Sequence, residues 1–569
     1  MTKRIADQIA EFIALTCSSK VFVLTGNGAM YLNDAIQINK NLEYVCVRNE
    51  AAAPIAASSY SQASGRIGAV CVTAGPGGAN AMASVVESWV DSINILVISG
   101  QVSTTDFEIT PVRSFGIAGI PIVSYIKNFT KYSATIDSPD SLEHHLRETL
   151  TAFKTGRPGP VWLDIPLDIQ AALASKFSVE KLVNDTESSI NLNLTNAKEF
   201  NFIEVESALI DSKKPLILLG RGIENTTNKN ITTNWLNRNK IPYALSRPVA
   251  HLSGISSKPN LGVLGVRGRE WSKNVLDECD LLIAIGCRLP TAITGSNFSY
   301  FPNGLKIIQI DIDNIELERN TNKNVQPILS TAENFFTNNS LQKFFYEDGY
   351  FESWKKFCED IKSFSKLEFK NSTNSSPLNL YWFVSNLEKH INSLDYLTTD
   401  AGSNYYACGQ ALSFENGFKE ITSGTFAAMG MSLPLAIGAG SHITKSQKVV
   451  CITGDGSIEL NIQELQTVAT YNYNIYIFVI NNGGYASMRA WQDTFFEGRY
   501  IGSTDQTGTK PMNFRKISKA FNINYEIIRS EKDFNKKINK IFKTPGPILV
   551  EVMCDPNQIL SLPMNHDKV

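Results

Sequence analysis

The stretch KVVCITGDGSIELNIQELQTVATYNYNIYIFVINN, residues 448–482, carries the pattern from which the fold is predicted. Two apolar runs, 449–452 and 475–480, each lead into small polar residues. The segment between them has apolar residues at the spacing of one helix face: Ile458, Ile462, Leu465 and Ala469. We therefore expect a strand, a tight turn, a helix and a parallel second strand, joined by a right-handed crossover.

The two apolar runs end in Gly454-Asp455-Gly456 and Asn481-Asn482, with 24 residues between these motifs. Because ligands bind at the carboxyl ends of parallel strands, Asp455 and Asn482 are expected to share a binding edge. A carboxylate and an amide oxygen suit magnesium, with a bound diphosphate supplying further oxygens. Gly454 and Gly456 would let the backbone approach that diphosphate closely. Two ordinary strand-end turns remain the alternative, because Gly-Asp-Gly is common in turns.

Composition and charge restrict the class of protein. The chain has 569 residues, which at about 150 residues per domain suggests three or four domains. A hydrophobic content of 43% and a charged content of 19% are those of an ordinary soluble globular protein. The net charge of −2 gives no electrostatic support for a nucleic-acid or membrane partner. No apolar stretch reaches the roughly 20 residues of a membrane span.

The nine cysteines include no CxxC pair, and their number is odd. Cys71 and Cys451 lie inside apolar runs, where cysteine behaves as a small hydrophobic residue. We therefore expect a reduced, cytoplasmic protein. The first residues carry charges and a helical apolar pattern instead of the apolar core of a signal peptide, which agrees with this expectation.

Residues 1–170 alternate short apolar runs with helical patterns, which is typical of a parallel sheet covered by helices. Glu50 follows one such run and opens an Ala-rich helix. A carboxylate among small apolar residues is costly to bury unless a partner uses it. The alternative is an ordinary acid stabilised by the helix dipole, and these residues alone leave both interpretations open.

Two further α/β domains are predicted, at 196–345 and 379–569, so the fold class is α/β with three doubly wound, parallel-sheet domains. The polar stretch 171–195 is interpreted as a linker. The stretch 346–378 is interpreted as a linking helix followed by a loop. Glycine turns at 220–222 and 265–268 could face a diphosphate or could be simple strand–helix turns.

Together the motifs resemble the thiamine diphosphate (ThDP)-dependent enzymes, and in particular acetolactate synthase and its relatives. The resemblance covers essentially the whole chain and is carried by NGAMYLND, VRNEAAAPIAASSYSQASGRIGAVCVTAGPGGANA, SINILVISGQV, ITSGTFAAMGMSLPLAIGAG and the GDG and NN motifs. It implies a pyrimidine-binding domain, a middle domain and a diphosphate-binding domain, in that order. It also implies a catalytic role for Glu50, which would hydrogen-bond the pyrimidine ring and support proton removal from thiazolium C2.

The same resemblance implies the other site residues. Gly484 would offer its carbonyl as a third metal oxygen beside Asp455 and Asn482, and Met429 would hold ThDP in its bent form. The residues expected at the cofactor are Gly28, Pro76, Asn80, Ala401, Gly402, Ser403, Met429, Gly454, Gly456, Ser457 and Tyr485. The residues expected at the substrate are Ala29, Gln101, Trp491 and Gln492. For Met429 and Trp491, packing in the core remains the alternative.

The implied activity is a ThDP- and magnesium-dependent carboligation. The enzyme would decarboxylate a 2-keto acid, pyruvate being the expected one, and transfer the two-carbon unit to a carbonyl acceptor. Acetolactate synthases use a second 2-keto acid as acceptor. The segments GNGAMYLND, TAGPGGANA and YASMRAWQDTFFEGRYIG resemble relatives in branched-sugar synthesis, whose acceptor is a nucleotide-linked keto-sugar. Simple decarboxylation and a non-catalytic scaffold subunit are further alternatives.

One departure from the family pattern affects the second substrate. Relatives carry a Gln-Glu pair followed by Asp where this chain has Ala118, Gly119 and Pro121. The family glutamine contributes to the reaction chamber, so the acceptor chemistry stays open.

The resemblance also bears on a second cofactor and on assembly. The middle domain binds FAD in acetolactate synthases and a different nucleotide, or nothing, elsewhere. Because Glu50 and the GDG and NN motifs meet across a subunit interface in this family, a homodimer or homotetramer is implied.

Overall fold

The computed structural model describes residues 3–107, 112–195, 202–226, 230–254, 259–320, 322–338, 341, 351–364, 377–558 and 560. These residues form three six-stranded sheets flanked by helices, and every strand pair within them is parallel. The predicted α/β class with three parallel-sheet domains is confirmed.

The first sheet has the strand order β2-β1-β3-β4-β6-β5. Its strands are β1 (Cys17–Val23), β2 (Glu43–Cys46), β3 (Ile67–Val72), β4 (Ile95–Gln101), β5 (Tyr132–Thr135) and β6 (Val161–Pro166). Its helices are Ile5–Thr16, Met30–Ile38, Ala52–Ser64, Pro76–Val90, Ile122–Ile126, Leu142–Lys154, Leu167–Ala171 and Val179–Thr195. Strand β4 is buried along its whole length, as expected of a central parallel strand covered on both faces.

The interpretation of 171–195 as a linker was wrong for most of that stretch. The helix Val179–Thr195 packs on the first domain, where Leu182 and Val183 join the buried core. Val179 and Ile190 are buried as well, and these apolar side chains hold the otherwise polar helix, because most helical stability in proteins comes from tertiary packing.

The middle sheet has the order β12-β11-β10-β7-β8-β9. Its strands are β7 (Pro215–Leu219), β8 (Tyr243–Leu245), β9 (Asn260–Val263), β10 (Leu281–Ile285), β11 (Lys306–Asp311) and β12 (Val325–Leu329). Its helices are Ile203–Asp211, Ile231–Asn239, Glu270–Glu278, Thr291–Thr294, Asn314–Glu318, Ala332–Thr337 and Glu352–Phe364. Counted within the domain, the order is 3-2-1-4-5-6, which is that of dinucleotide-binding folds.

The helix Glu352–Phe364 agrees with the linking helix predicted in 346–378. It buries Trp354 and Cys358 in the core of the middle domain. The loop predicted after it lies almost entirely outside the described residues.

The third sheet has the order β14-β13-β15-β16-β18-β17, so within its own domain it repeats the order of the first sheet. Its strands are β13 (Tyr396–Thr399), β14 (Lys419–Thr422), β15 (Val449–Gly454), β16 (Ile475–Asn481), β17 (Asn524–Ile528) and β18 (Ile548–Met553). Its helices are Leu380–Leu387, Ser403–Ala411, Ser432–His442, Glu464–Tyr471, Ala486–Phe496, Phe514–Ala520 and Glu531–Lys543. The helix predicted between β15 and β16 is divided into a short 3-10 turn, Ile458–Asn461, and the helix Glu464–Tyr471.

The first and third domains pack directly on each other. Helix Ala52–Ser64 of the first lies along helix Ser432–His442 of the third, and both contribute to one shared core. A side-chain carbon on Gly438 would lie 2.1 Å from the Ala56 carbonyl oxygen, so the two backbones touch. The hydroxyl of Ser59 donates to the Leu435 carbonyl at 2.6 Å across the same contact.

Within the described part of the chain, no helix combines the length and the apolarity needed to cross a bilayer. All nine cysteines are free thiols, and all except Cys46 are buried.

Candidate active site

The third sheet reverses its strand order between β13 and β15, and ligands bind at such reversal points on the carboxyl edge. The loops that leave these two strands are joined through the buried side chain of Asp400. Its Oδ2 accepts hydrogen bonds from Ser457 Oγ at 2.8 Å and from Thr453 Oγ1 at 2.9 Å. Burial raises the pKa of Asp400 to about 6, although hydrogen bonds from Asn404, Ser457 and Thr453 act in the opposite direction. Asp400 therefore ties the loop of residues 401–403 to the GDG loop.

The GDG and NN motifs meet at the same edge, because β15 and β16 pair in parallel with Gly454 opposite Ile480. Asp455 is buried, and its Oδ1 accepts from the Gly456 N–H at 2.9 Å. Its Oδ2 accepts from the Gly484 N–H at 2.8 Å. Burial raises the pKa of Asp455, while the N–H groups of the two motifs act to lower it. The carboxylate is thus fixed between the two loops.

Asn482 is also buried, and within the described residues nothing hydrogen-bonds its side-chain amide. One carboxylate beside one amide oxygen is a donor set that fits magnesium, provided that a diphosphate and water complete the shell. The carbonyl of Gly484 accepts from the Ala486 N–H at 2.9 Å and keeps a second lone pair. Among the described residues, no group of three His, Cys, Asp or Glu side chains could hold a metal ion.

The glycines of this edge serve different purposes. A side-chain carbon on Gly456 would lie 2.1 Å from Tyr485 Cε1, so Gly456 is required by the packing of that ring. At Gly454 the nearest atom would be 3.6 Å away, and at Gly402, with φ of 86°, it would be 3.9 Å away. At Gly402 and Gly454 the nearest atoms are thus no closer than ordinary contact distance, so a diphosphate could fit there beside Ala401 and Ser403.

Met429 lies in the turn before helix Ser432–His442 and is half-buried. The next residue, Gly430, donates its N–H to Ser457 Oγ at 2.8 Å and accepts from Asn461 Nδ2 at 2.8 Å. Met429 is consequently held beside the GDG loop, as a residue that supports a bound cofactor would need to be.

A second group of predicted residues lies at the carboxyl edge of the first sheet. Glu50 is buried, and its Oε2 accepts from Asn80 Nδ2 at 3.1 Å. Gly28 donates its N–H to Thr73 Oγ1 at 3.0 Å, which joins the loops after β1 and β3. Pro76 is the exposed first residue of the helix that carries Asn80. Within a single chain, no hydrogen bond among the described residues joins Glu50 to the GDG or NN loop.

Three of the four residues expected at the substrate are buried, and two of these make hydrogen bonds within the chain. Ala29 is fully buried, and the amide of Gln101 donates to the Ile120 carbonyl at 2.9 Å and to Asp164 Oδ2 at 3.0 Å. The amide of Gln492 donates to the Ile501 carbonyl at 3.1 Å. Trp491 differs, because it is 38% exposed and stacks on Phe495.

Glu464 is a functional candidate that the sequence pattern did not reveal. This buried side chain of the third domain accepts through Oε1 from the N–H groups of Arg48 at 2.9 Å and Asn49 at 3.1 Å. Its Oε2 accepts from Thr467 Oγ1 at 2.7 Å, and burial raises its pKa. Glu464 thus holds the turn that ends in Glu50. An acid at the first turn of a helix is commonly stabilised by the helix dipole, so only the fold discloses the partners of Glu464.

A cavity of about 1060 Å³ opens at the carboxyl edge of the middle sheet, where the strand order reverses between β7 and β10. Residues of all three domains line it, including the predicted glycine turns 220–222 and 265–268. Gly220 and Gly222 are required by backbone packing, since a side-chain carbon on either would lie within 2.7 Å of the Gly286 backbone. Arg267 lies over two aromatic rings, with its Cζ 4.2 Å from the centroid of the Tyr406 ring and 5.7 Å from the centroid of the Trp491 ring.

Three family models match the chain in the order of its sheets. Residues 3–129 match the N-terminal TPP binding domain of thiamine pyrophosphate enzymes, residues 204–338 the central domain, and residues 400–552 the C-terminal TPP binding domain. Thiamine pyrophosphate is another name for ThDP. The chain belongs to the thiamine pyrophosphate enzymes, and it is a ThDP-dependent enzyme.

Among curated proteins the chain is similar to acetolactate synthases. It is 29% identical to the large subunit of acetolactate synthase from Porphyra purpurea over 543 residues, which cover 93% of this chain and 87% of that protein. It is 27% identical to the chloroplastic acetolactate synthase 1 of Nicotiana tabacum over 580 residues, 98% of this chain and 83% of that protein. The suspected resemblance to acetolactate synthase-like enzymes is confirmed.

Replacing Glu464 tests its contact with the Glu50 turn. Glu464→Ala leaves the N–H groups of Arg48 and Asn49 without partners, so we expect a loss of roughly 1–3 kcal/mol in the stability of the domain contact. The measurement is the urea midpoint of unfolding, compared with Gln466→Ala, an exposed residue of the same helix. Equal midpoints for the two variants would contradict the assigned role.

Proposed function

We propose that this enzyme is a ThDP- and magnesium-dependent carboligase that decarboxylates pyruvate and transfers the two-carbon unit to a second 2-keto acid. The observation that carries the proposal is the Asp455 carboxylate, which is fixed between the GDG and NN loops beside the unpartnered amide of Asn482. Similarity to acetolactate synthases over most of the chain supports the choice of reaction.

In this proposal the chain provides binding and proton transfer. Asp455, the Asn482 amide and the Gly484 carbonyl would hold the cation, and the space beside Gly402 and Gly454 would receive the diphosphate. Glu50 would bind the pyrimidine ring, since its Oε1 has no described hydrogen-bond partner. Bound ThDP would supply the nucleophilic carbon and the electron sink that 2-keto acid decarboxylation requires.

A keto-sugar acceptor linked to a nucleotide is the second candidate, and the loop around Ala118 favours it. Ala118 has φ of 65°, and its carbonyl oxygen would lie 2.0 Å from a side-chain carbon on Gly75. The main chain and the methyl group of Ala118 thus cover the Gly75 loop, at the position where relatives carry glutamine. A chamber with fewer side chains has more room for a large acceptor.

We further propose that FAD or a related nucleotide occupies the middle-domain cavity. The strand order 3-2-1-4-5-6 and the cavity of about 1060 Å³ at its reversal point support a dinucleotide. The packing role of Gly220 and Gly222 shows that the glycines alone are no argument for it.

A homodimer or homotetramer completes the proposal. The support is the family resemblance, in which the acid at the position of Glu50 and the GDG and NN motifs meet across a subunit interface, so that the cofactor would be bound between two copies. The small-molecule partners are then a 2-keto acid and a carbonyl acceptor.

The proposed reaction is tested by measuring carbon dioxide release from pyruvate with ThDP and magnesium, with and without acceptors. We expect release from pyruvate alone, with acetolactate as the product. Turnover only after addition of a nucleotide-linked keto-sugar would select the second candidate. No release from any 2-keto acid, in protein shown to bind ThDP, would contradict the proposed function.

Replacing Glu50 separates cofactor binding from proton transfer. Glu50→Gln keeps the shape of the side chain and removes the exchangeable acid, so ThDP should still bind. Hydrogen–deuterium exchange at thiazolium C2, followed by proton NMR, should slow by about 10²–10⁴-fold. Glu43→Gln, at an exposed position in the same domain, is the matched control. Exchange at the wild-type rate in Glu50→Gln would rule out the catalytic role.

The middle-domain cavity has a direct spectroscopic test. If FAD is bound, the purified protein should be yellow, and acid treatment should release FAD in about equal amount to the chain. A colourless protein after expression with added riboflavin would count against FAD. The remaining hypothesis would be another nucleotide in the cavity, which mass spectrometry of the same extract would identify.

A further inference from the structure

Arg489 lies in the first turns of helix Ala486–Phe496, and its guanidinium turns back onto the loop before the helix. Its Nη1 donates to the carbonyls of Gly483 at 2.8 Å and Ser503 at 3.0 Å. Its Nη2 donates to the carbonyls of Asn482 at 2.7 Å and Pro556 at 3.1 Å. The two terminal nitrogens of a guanidinium carry four N–H donors, and all of them are used here.

Every described hydrogen-bond partner of Arg489 is a main-chain carbonyl. These carbonyls belong to three separate segments of the chain: the NN loop, the segment after helix Ala486–Phe496, and the residues that follow β18. A planar guanidinium can join so many acceptors at once because its donors form a rigid fork.

The loop that Arg489 holds has little stability of its own. Gly483 and Gly484 have φ of 79° and 99°, in the left-handed region, and glycine has more conformational freedom to lose than any other residue. A side-chain carbon on Gly484 would lie 3.7 Å from Nη1, so the guanidinium flanks this residue. Gly484 in turn donates its N–H to Asp455 Oδ2. The hydrogen bonds of Arg489 therefore restrain both residues that are expected to bind the metal beside Asp455.

We propose that Arg489 is a positioning residue of the metal site. It holds the main-chain carbonyls of Asn482 and Gly483 so that they are directed at the guanidinium. The Asn482 side-chain amide and the Gly484 carbonyl remain as the neutral oxygens available to the cation. This inference rests on the magnesium site of the proposed function, and it adds the residue that determines which oxygens of the loop serve that site.

The test is the affinity for Mn²⁺, a paramagnetic substitute for Mg²⁺, measured by electron paramagnetic resonance with ThDP present. Arg489→Met keeps the aliphatic stem and removes all donors. We expect its dissociation constant for Mn²⁺ to rise by about tenfold or more, as when partners outside the first coordination shell of a metal are lost. Thermal unfolding of the cofactor-free proteins is measured in parallel. A purely structural arginine would lower that unfolding temperature and leave the Mn²⁺ constant unchanged.

Two further variants make the result decisive. Arg499→Gln, whose side chain is 67% exposed and pairs with Glu497, should keep the wild-type constant. Arg489→Lys offers three donors on one nitrogen and should give an intermediate constant. If Arg489→Met does not fold, the dissociation constant of Arg489→Lys is used in its place. A wild-type dissociation constant for Mn²⁺ in whichever variant folds would overturn the positioning role of Arg489 and leave the metal site standing. A wild-type protein that binds no Mn²⁺ with ThDP would overturn the metal site as well.

Discussion

The two hydrogen bonds that Asp455 accepts, from Gly456 and from Gly484, are the interaction on which the rest of the candidate site depends. The bond from Gly484 is possible because β15 and β16 are parallel neighbours in a fixed register. Burying this carboxylate costs free energy that two main-chain N–H groups offset in part, and a bound cation would offset more of it. The same loop continues to Ser457, which joins Asp400 on one side and the Gly430 turn on the other. The GDG loop is therefore joined to three neighbouring loops.

Much of this arrangement is predictable from the sequence, because it follows from local patterns. Apolar runs that end in glycine, aspartate or asparagine indicate parallel strands, and parallel strands place their carboxyl ends on one edge. That logic alone predicts that Asp455 and Asn482 lie side by side. The order of strands within a sheet is not encoded locally, so neither the shared order of the first and third sheets nor the dinucleotide-binding order of the middle sheet could be derived from the sequence.

The sequence does not reveal which groups elsewhere in the chain a given side chain contacts. Gln101 and Gln492 match the family pattern, yet their amides are used to hold neighbouring loops. Glu464 contacts residues more than 400 positions earlier in the chain, and no periodicity reveals such a contact. The helix Val179–Thr195 has only a few apolar residues among many polar ones, so its composition resembles that of a linker. For Glu464 and for this helix, a contact with residues distant in the sequence determines the structural role.

The contact between helices Ala52–Ser64 and Ser432–His442 has a consequence for motion. Sliding of packed helices needs a layer of side chains that can repack in small steps. Here the Gly438 and Ala56 backbones touch, so no side chain separates the two helices at that point. The first and third domains should therefore move as one rigid body during turnover. Opening to admit substrate falls to the surface loops and to the middle domain, and the spacing of Glu50 from Asp455 within a chain stays constant through the catalytic cycle.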